Sequence, residues 1–253
     1  MYINLLLSFF LFNNLTLNNF NNKKDIKDYQ VIYQNLLQRI YINIIAIDTL
    51  FDKFNKNTYI KFPMAIIMRT CISDSIIVAY FASILDKQGT NNFKEQIIKL
   101  NHPFAREINE EIEEMIKYGD PKYKEYFELA ASYLPGNFTK GRKIKLKKIQ
   151  ELEPKGMVKA LKGTQLEWYS EIYKLYQYYS KYEHYGMVSK RLIEFNTEFE
   201  FDKIVFSSYY ILQAAFMAMQ FLDVGIEKIG KMEDLRDRIV DIEPTFDEQK
   251  SNN

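Results

Sequence analysis

Residues 64–85 read MAIIMRTCISDSIIVAYFASIL, a run with no glycine or proline and only two charged side chains, Arg69 and Asp74. A stretch of this length that is apolar on nearly every side has to be covered almost all round. It therefore predicts the central, most buried helix of a helical domain. Pro63, just ahead of it, suits a first helical turn. A second run, YYILQAAFMAMQFL at 209–222, is also apolar around most of its girth and predicts a partner helix over about 200–229.

The rest of the chain supports helices around that pair. Over 24–55, Tyr29, Ile32, Tyr33, Leu36, Leu37, Ile40 and Ile44 recur at helical spacing. Further helices are expected over 92–117, interrupted at NHPF (101–104) because Pro103 disfavours continuation, over 121–134, and over 165–183. Glycine (9) and proline (6) are too scarce for a many-stranded sandwich or barrel. The predicted fold is all-α: a single helical-bundle domain of five or six helices over 24–230, with long loops at 135–156 and 186–199. It is flanked by an apolar, Asn-rich segment (1–23) and an acidic tail (231–253).

The segment MYINLLLSFFLF lacks a basic start and a small-residue cleavage pattern, and its apolar core falls short of the ~20 residues that span a bilayer. It is expected to dock on the domain, with an export signal or a membrane-surface anchor as alternatives. The net charge of +1 gives the chain as a whole no signature of a nucleic-acid or membrane partner. A single cysteine, Cys71, rules out an intrachain disulfide and a cysteine-based metal site, and fits a reducing, cytoplasmic setting.

Four residues stand out as candidate chemistry. Arg69 in an apolar helix needs a partner, since an isolated buried charge is strongly disfavoured. Asp74, five residues on, points about 140° away, so each is expected to reach a different helix. They form either an inter-helix lock or a pocket where Arg69 meets an anion, with Ser73 on the Arg69 face. In YYSKYEHYG (178–186), Ser180 and His184 are four apart and follow Tyr173 and Tyr176. A histidine at a helix C-terminus is favoured in its protonated form, which suits a general acid, a phosphate contact or a simple cap. His102, before Pro103, reads as a local hydrogen-bonding residue. Two histidines and one cysteine in separate segments match no zinc spacing, and no metal or other cofactor is expected.

Two charge runs complete the inventory. Glu107, Glu110, Glu111 and Glu114 share a face opposite Phe104, Ile108, Ile112, Met115 and Ile116, which reads as a solvated helix face. KGRKIKLKK supplies Lys140, Arg142, Lys143, Lys145, Lys147 and Lys148, a cluster on an irregular segment able to grip phosphates or simply to face water.

MRTCISDSIIVAYFASIL, with its R-x-x-x-x-D pattern in an apolar run, and YQYYSKYEHYG, with Y-x-x-x-S-x-x-x-H, together resemble the HEPN-like group of all-α bacterial proteins, often encoded in toxin–antitoxin and abortive-infection systems. The resemblance covers about 40 of the 253 residues. It implies a metal-independent ribonuclease in which an arginine and a histidine, typically paired across a dimer, promote attack by the ribose 2′-hydroxyl. His184 would be the acid/base, Arg69 the charge stabiliser, and Ser180 and Asp74 orienting groups. The family's arginine, four to six intervening residues before the histidine, is absent: Gln177, Tyr178 and Tyr179 stand there. Two other readings compete: a non-catalytic helical subunit or sensor of such a system, and a tyrosine-lined small-molecule pocket. The partners expected are RNA or another protein, with a homodimer and a membrane contact of residues 1–20 left open.

Overall fold

The computed structural model describes residues 27–51, 53, 57–139, 145–182 and 197–222. The apolar N-terminal segment, the acidic tail, the loop around 186–196 and His184 lie outside them. The all-α expectation holds. Helix α1 is Asp28–Phe51, α2 Lys61–Lys117, α3 Tyr123–Tyr133, α4 Pro154–Ala160, α5 Ile172–Ser180 and α6 Thr197–Phe221. Short 3-10 turns at Thr58–Ile60 and Glu167–Glu171 lead into α2 and α5.

The chain divides into two compact units: residues up to Ser83 together with those from Val158 onward, and Ile84–Met157. In the first unit, α1 buries Tyr33, Leu37, Ile40, Ile44 and Ile47, a stripe at spacings of three and four. α6 packs against both α1 and α5, and its fully buried Ala214, Ala215 and Ala218 let a neighbouring backbone approach closely. Tyr33 stacks on Phe221 with ring centroids 5.2 Å apart, and Gln30 Nε2 donates to the Phe221 carbonyl. Lys61–Lys87 and Lys203–Phe221 are long and apolar enough to cross a membrane by length and composition, and most of each is buried within the fold.

α2 begins in the first unit and its residues from Ile84 onward belong to the second. It leaves helical conformation at Gly89 (φ 65°, ψ −167°), between the helices expected over 64–85 and 92–117, and helix resumes at once. A positive φ is available to glycine without the steric cost other residues meet. The expected interruption at Pro103 is absent, since helix runs through it to Lys117. Proline forfeits its own bond to the carbonyl four residues back. Buried Phe93, His102, Ala105 and Ile112 hold the helix on either side of that gap.

In the second unit the long segment 135–156 is partly ordered. Phe138–Thr139 (β1) and Lys145–Leu146 (β2) pair antiparallel, Phe138 opposite Leu146 and Thr139 opposite Lys145. Ala105, Ala130, Ala131, Leu134 and Phe138 form the core here, with Ile108, Phe127 and Leu146 packed against it. The expected apolar face of residues 104–116 is only partly covered: Ile112 is buried, whereas Phe104 is 57% exposed and Ile116 50%.

Candidate functional site

The first unit brings Arg69 and Ser180 together. Arg69 Nε donates to Ser180 Oγ at 3.1 Å, and Nη2 donates to Tyr176 Oη at 3.0 Å. The guanidinium also lies over the Tyr176 ring, 5.0 Å from its centroid, a favourable cation–π arrangement. Tyr173 and Tyr176 are stacked at 5.8 Å, so Tyr173, Tyr176 and Ser180 share one face of α5, as their spacing implies. Ser180 Oγ donates its own proton to the Tyr176 carbonyl at 2.7 Å. That hydroxyl is thus committed on both sides, accepting from Arg69 and donating to backbone.

α5 ends at Ser180, and Lys181 and Tyr182 form a turn in which their amides bond back three residues. The helix is therefore shorter than the expected 165–183. The four-residue relation of Ser180 to His184 cannot be carried onto one helical face, because His184 lies outside the described residues.

Asp74 goes elsewhere. Its Oδ1 meets Arg39 Nη2 of α1 at 3.1 Å. The Asp74 side chain is 1% exposed and that of Arg39 60%. Oδ2 is buried with no hydrogen-bond partner. Burial pushes the Asp74 carboxyl up to about 7, and Arg39 opposes this only in part, because a largely solvated guanidinium is a screened partner. One turn earlier, burial pushes the Cys71 thiol far up, and nearby Asp74 adds to the effect. Arg69 and Asp74 thus reach different helices, as their angular separation required. Only Arg69 joins the Ser180 end of α5, so Asp74 does not orient that site.

Arg39 is the partner that residue spacing alone does not reveal. It flanks the buried stripe of α1 between Leu37 and Ile40, a place where a long cation can lie over core while its head stays wet. Beside α5, Met64, Met68, Tyr178, Tyr179, Tyr182 and Ile204 line a cavity of about 20 Å³. That volume holds about one water molecule. It offers no support for a small-molecule pocket. Among the described residues no three of His, Cys, Asp and Glu converge as a metal site.

In the second unit His102 is buried, and its Nδ1 lies 3.3 Å from Asn137 Nδ2, which also donates to the Ile98 carbonyl at 2.9 Å. Of the basic run, Lys145, Lys147 and Lys148 are exposed on and beyond β2, whereas Lys140, Arg142 and Lys143 lie outside the described residues. Set beside protein-family models, curated proteins and solved structures, the chain matches none.

Proposed function

We propose that this protein is a HEPN-like defence or toxin-type ribonuclease that works in a bacterial cytoplasm without a metal ion. The observation that supports this reading is the arrival of Arg69, from α2, on Ser180 and Tyr176 at the end of α5, four residues before His184. On this reading Arg69 stands in, from another helix, for the arginine that the family carries before its histidine. In the proposed reaction His184 takes the proton of a ribose 2′-hydroxyl, and that oxygen attacks the adjacent phosphorus. The protonated His184 then returns a proton to the departing 5′-oxygen, leaving a 2′,3′-cyclic phosphate. Arg69, held in place by Tyr176 and Ser180, stabilises the negative charge that builds on the phosphoryl oxygens. Ser180 is a positioning residue, because its own proton is engaged.

The test is expression of wild type, Arg69→Ala and His184→Ala in a bacterial host, scoring growth, RNA integrity and melting temperature together. The expected result is RNA cleavage by wild type and its loss, at unchanged melting temperature, in His184→Ala. Cleavage that survives His184→Ala would sink the proposal.

A second reading, a non-catalytic helical subunit or sensor, draws support from a different observation. Asp74 is buried on Arg39, and the Ser180 hydroxyl is bonded on both sides, so two of the four candidate groups face structure rather than solvent. On that reading wild type is harmless, and Arg69→Ala melts well below it.

A further inference from the structure

The stretch from Leu134 to Gln150 carries six cations and no acidic residue. Set against a whole-chain charge of +1, it leaves the remainder of the chain at −5. A polyanion is therefore repelled by the rest of the molecule and attracted to this stretch.

The structure pins the described part of this stretch, which carries Lys145, Lys147 and Lys148. At the root, Asn137 is fully buried, with its side chain on the Ile98 carbonyl and His102, and its own carbonyl accepts the Lys147 amide at 2.8 Å. Gly136 (φ +100°) lies so close over Ile98 that a Cβ would stand 2.5 Å from Cδ1. Phe138 is buried and meets Phe127 edge-on at 5.5 Å. Across the strands, Thr139 Oγ1 donates to the Lys145 carbonyl and accepts from the Lys145 amide, at 3.2 and 3.1 Å. Strand alternation turns Leu146 toward the core and leaves Lys145 and Lys147 outward, about 6.6 Å apart along the chain.

We propose that this hairpin is a docking surface for the phosphate backbone of RNA, with Lys145, Lys147 and Lys148 as the contacts. Among the described residues of the two strands and the two residues after them, the exposed ones, Thr139, Lys145, Lys147 and Lys148, are all polar. A protein partner would need an apolar centre to its interface, whereas a nucleic-acid interface is polar and positive throughout. This docking does not depend on cleavage, because these contacts belong to Ile84–Met157, whereas Arg69 and Ser180 belong to the other unit.

The experiment is fluorescence anisotropy of the full chain with a fluorescein-labelled oligouridine of about 20 nucleotides, across a salt series. The triple variant Lys145→Ala/Lys147→Ala/Lys148→Ala should keep the wild-type melting temperature. It should lose at least tenfold in affinity, and the slope of log Kd against log salt should fall by roughly 2, at about 0.7 per phosphate contact. Thr139→Val keeps every cation but removes the two side-chain bonds from Thr139 Oγ1 to Lys145, and should weaken binding a few-fold. Unchanged affinity and slope in the triple variant would overturn the proposal, as would wild type binding polyglutamate as tightly as oligouridine, which marks an acidic protein partner. Full binding by Thr139→Val would reduce the hairpin to solvated charge on a loop. A 2′-O-methyl oligouridine, which lacks the attacking hydroxyl and cannot be cleaved by the proposed reaction, should bind like oligouridine and show the same losses in the variants, so a failed nuclease reading leaves this result standing.

Discussion

The two units place their charged and polar groups in opposite ways. In the larger unit Arg69 and Asp74 sit on a core helix, and each is held by a side chain from another helix. In Ile84–Met157 the buried polar groups, Gln96, His102 and Asn137, carry no obligatory charge, and the cations Lys145, Lys147 and Lys148 stand in solvent on a pinned hairpin. The difference teaches where substitutions act. A buried charge couples stability to its partner and to pH, because its desolvation must be offset. An exposed charge on a rigid mount couples to ligand, and its removal leaves the fold intact.

The largest effect is expected where the hairpin mount is built rather than where its charge lies. Gly136→Ala meets both a positive φ and the Ile98 side chain, so it should destabilise the fold by about 3 kcal/mol in urea unfolding. Hydrogen-exchange protection should fall chiefly over 84–157. A loss confined to the larger unit, or a fully stable variant, would break the comparison at its root.

A buried carboxylate makes the second test one of pH. Folding raises the Asp74 pKa from 3.8 to about 7, so the folded state holds this proton more tightly than the unfolded chain. The stabilisation it contributes is fully present below pH 3.8 and is lost as pH rises through 7. Wild type should therefore lose stability between pH 5 and 8 on account of this group, and Asp74→Asn should flatten the profile. Arg39→Ala should cost about 2 kcal/mol at pH 8 and less at pH 5, where a protonated Asp74 no longer needs the cation. Parallel profiles for wild type and Asp74→Asn would show that Asp74 does not titrate in this range.

How much of this was legible in the sequence depends on where the constraint lies. The apolar run of residues 64–85 dictates a buried helix, and one arginine within it dictates a partner. The angle between Arg69 and Asp74 further dictates that the partners differ. Which helix answers is a tertiary fact: Arg39 and Tyr176 are ordinary surface-pattern residues until the helices pack. The break at Gly89 falls between the helices expected over 64–85 and 92–117, where glycine among polar residues weakens a helix from within. Pro103 misled, because one missing hydrogen bond is outweighed by the burial of Ala105 and Ile112 beyond it. The hairpin was illegible for a similar reason: two-residue strands leave no alternation to read, and Asn137, 39 residues from Ile98, fixes them through a side chain. His184, the residue on which the nuclease reading turns, was visible only as a residue type near a helix end.

The smallest effect sharpens the larger unit's side of the comparison. Ser180→Ala removes the acceptor for Arg69 Nε while leaving the bond to Tyr176 and the stack on its ring. The helix loses nothing in propensity, since alanine favours helix more than serine does. The cost should be about 1 kcal/mol, that of one partly buried charge-assisted bond. Arg69→Lys should cost more despite keeping its charge, because a single ammonium cannot reproduce the guanidinium's two bonds and its planar contact with Tyr176. If Ser180→Ala cleaves RNA more slowly at nearly unchanged melting temperature, and Arg69→Lys does the same, the contact aims the guanidinium at substrate. If both lower the melting temperature in proportion to the bonds removed and no cleavage is seen in any variant, Arg69 is a lock between α2 and α5. It then has the same standing as the pair of Arg39 and Asp74.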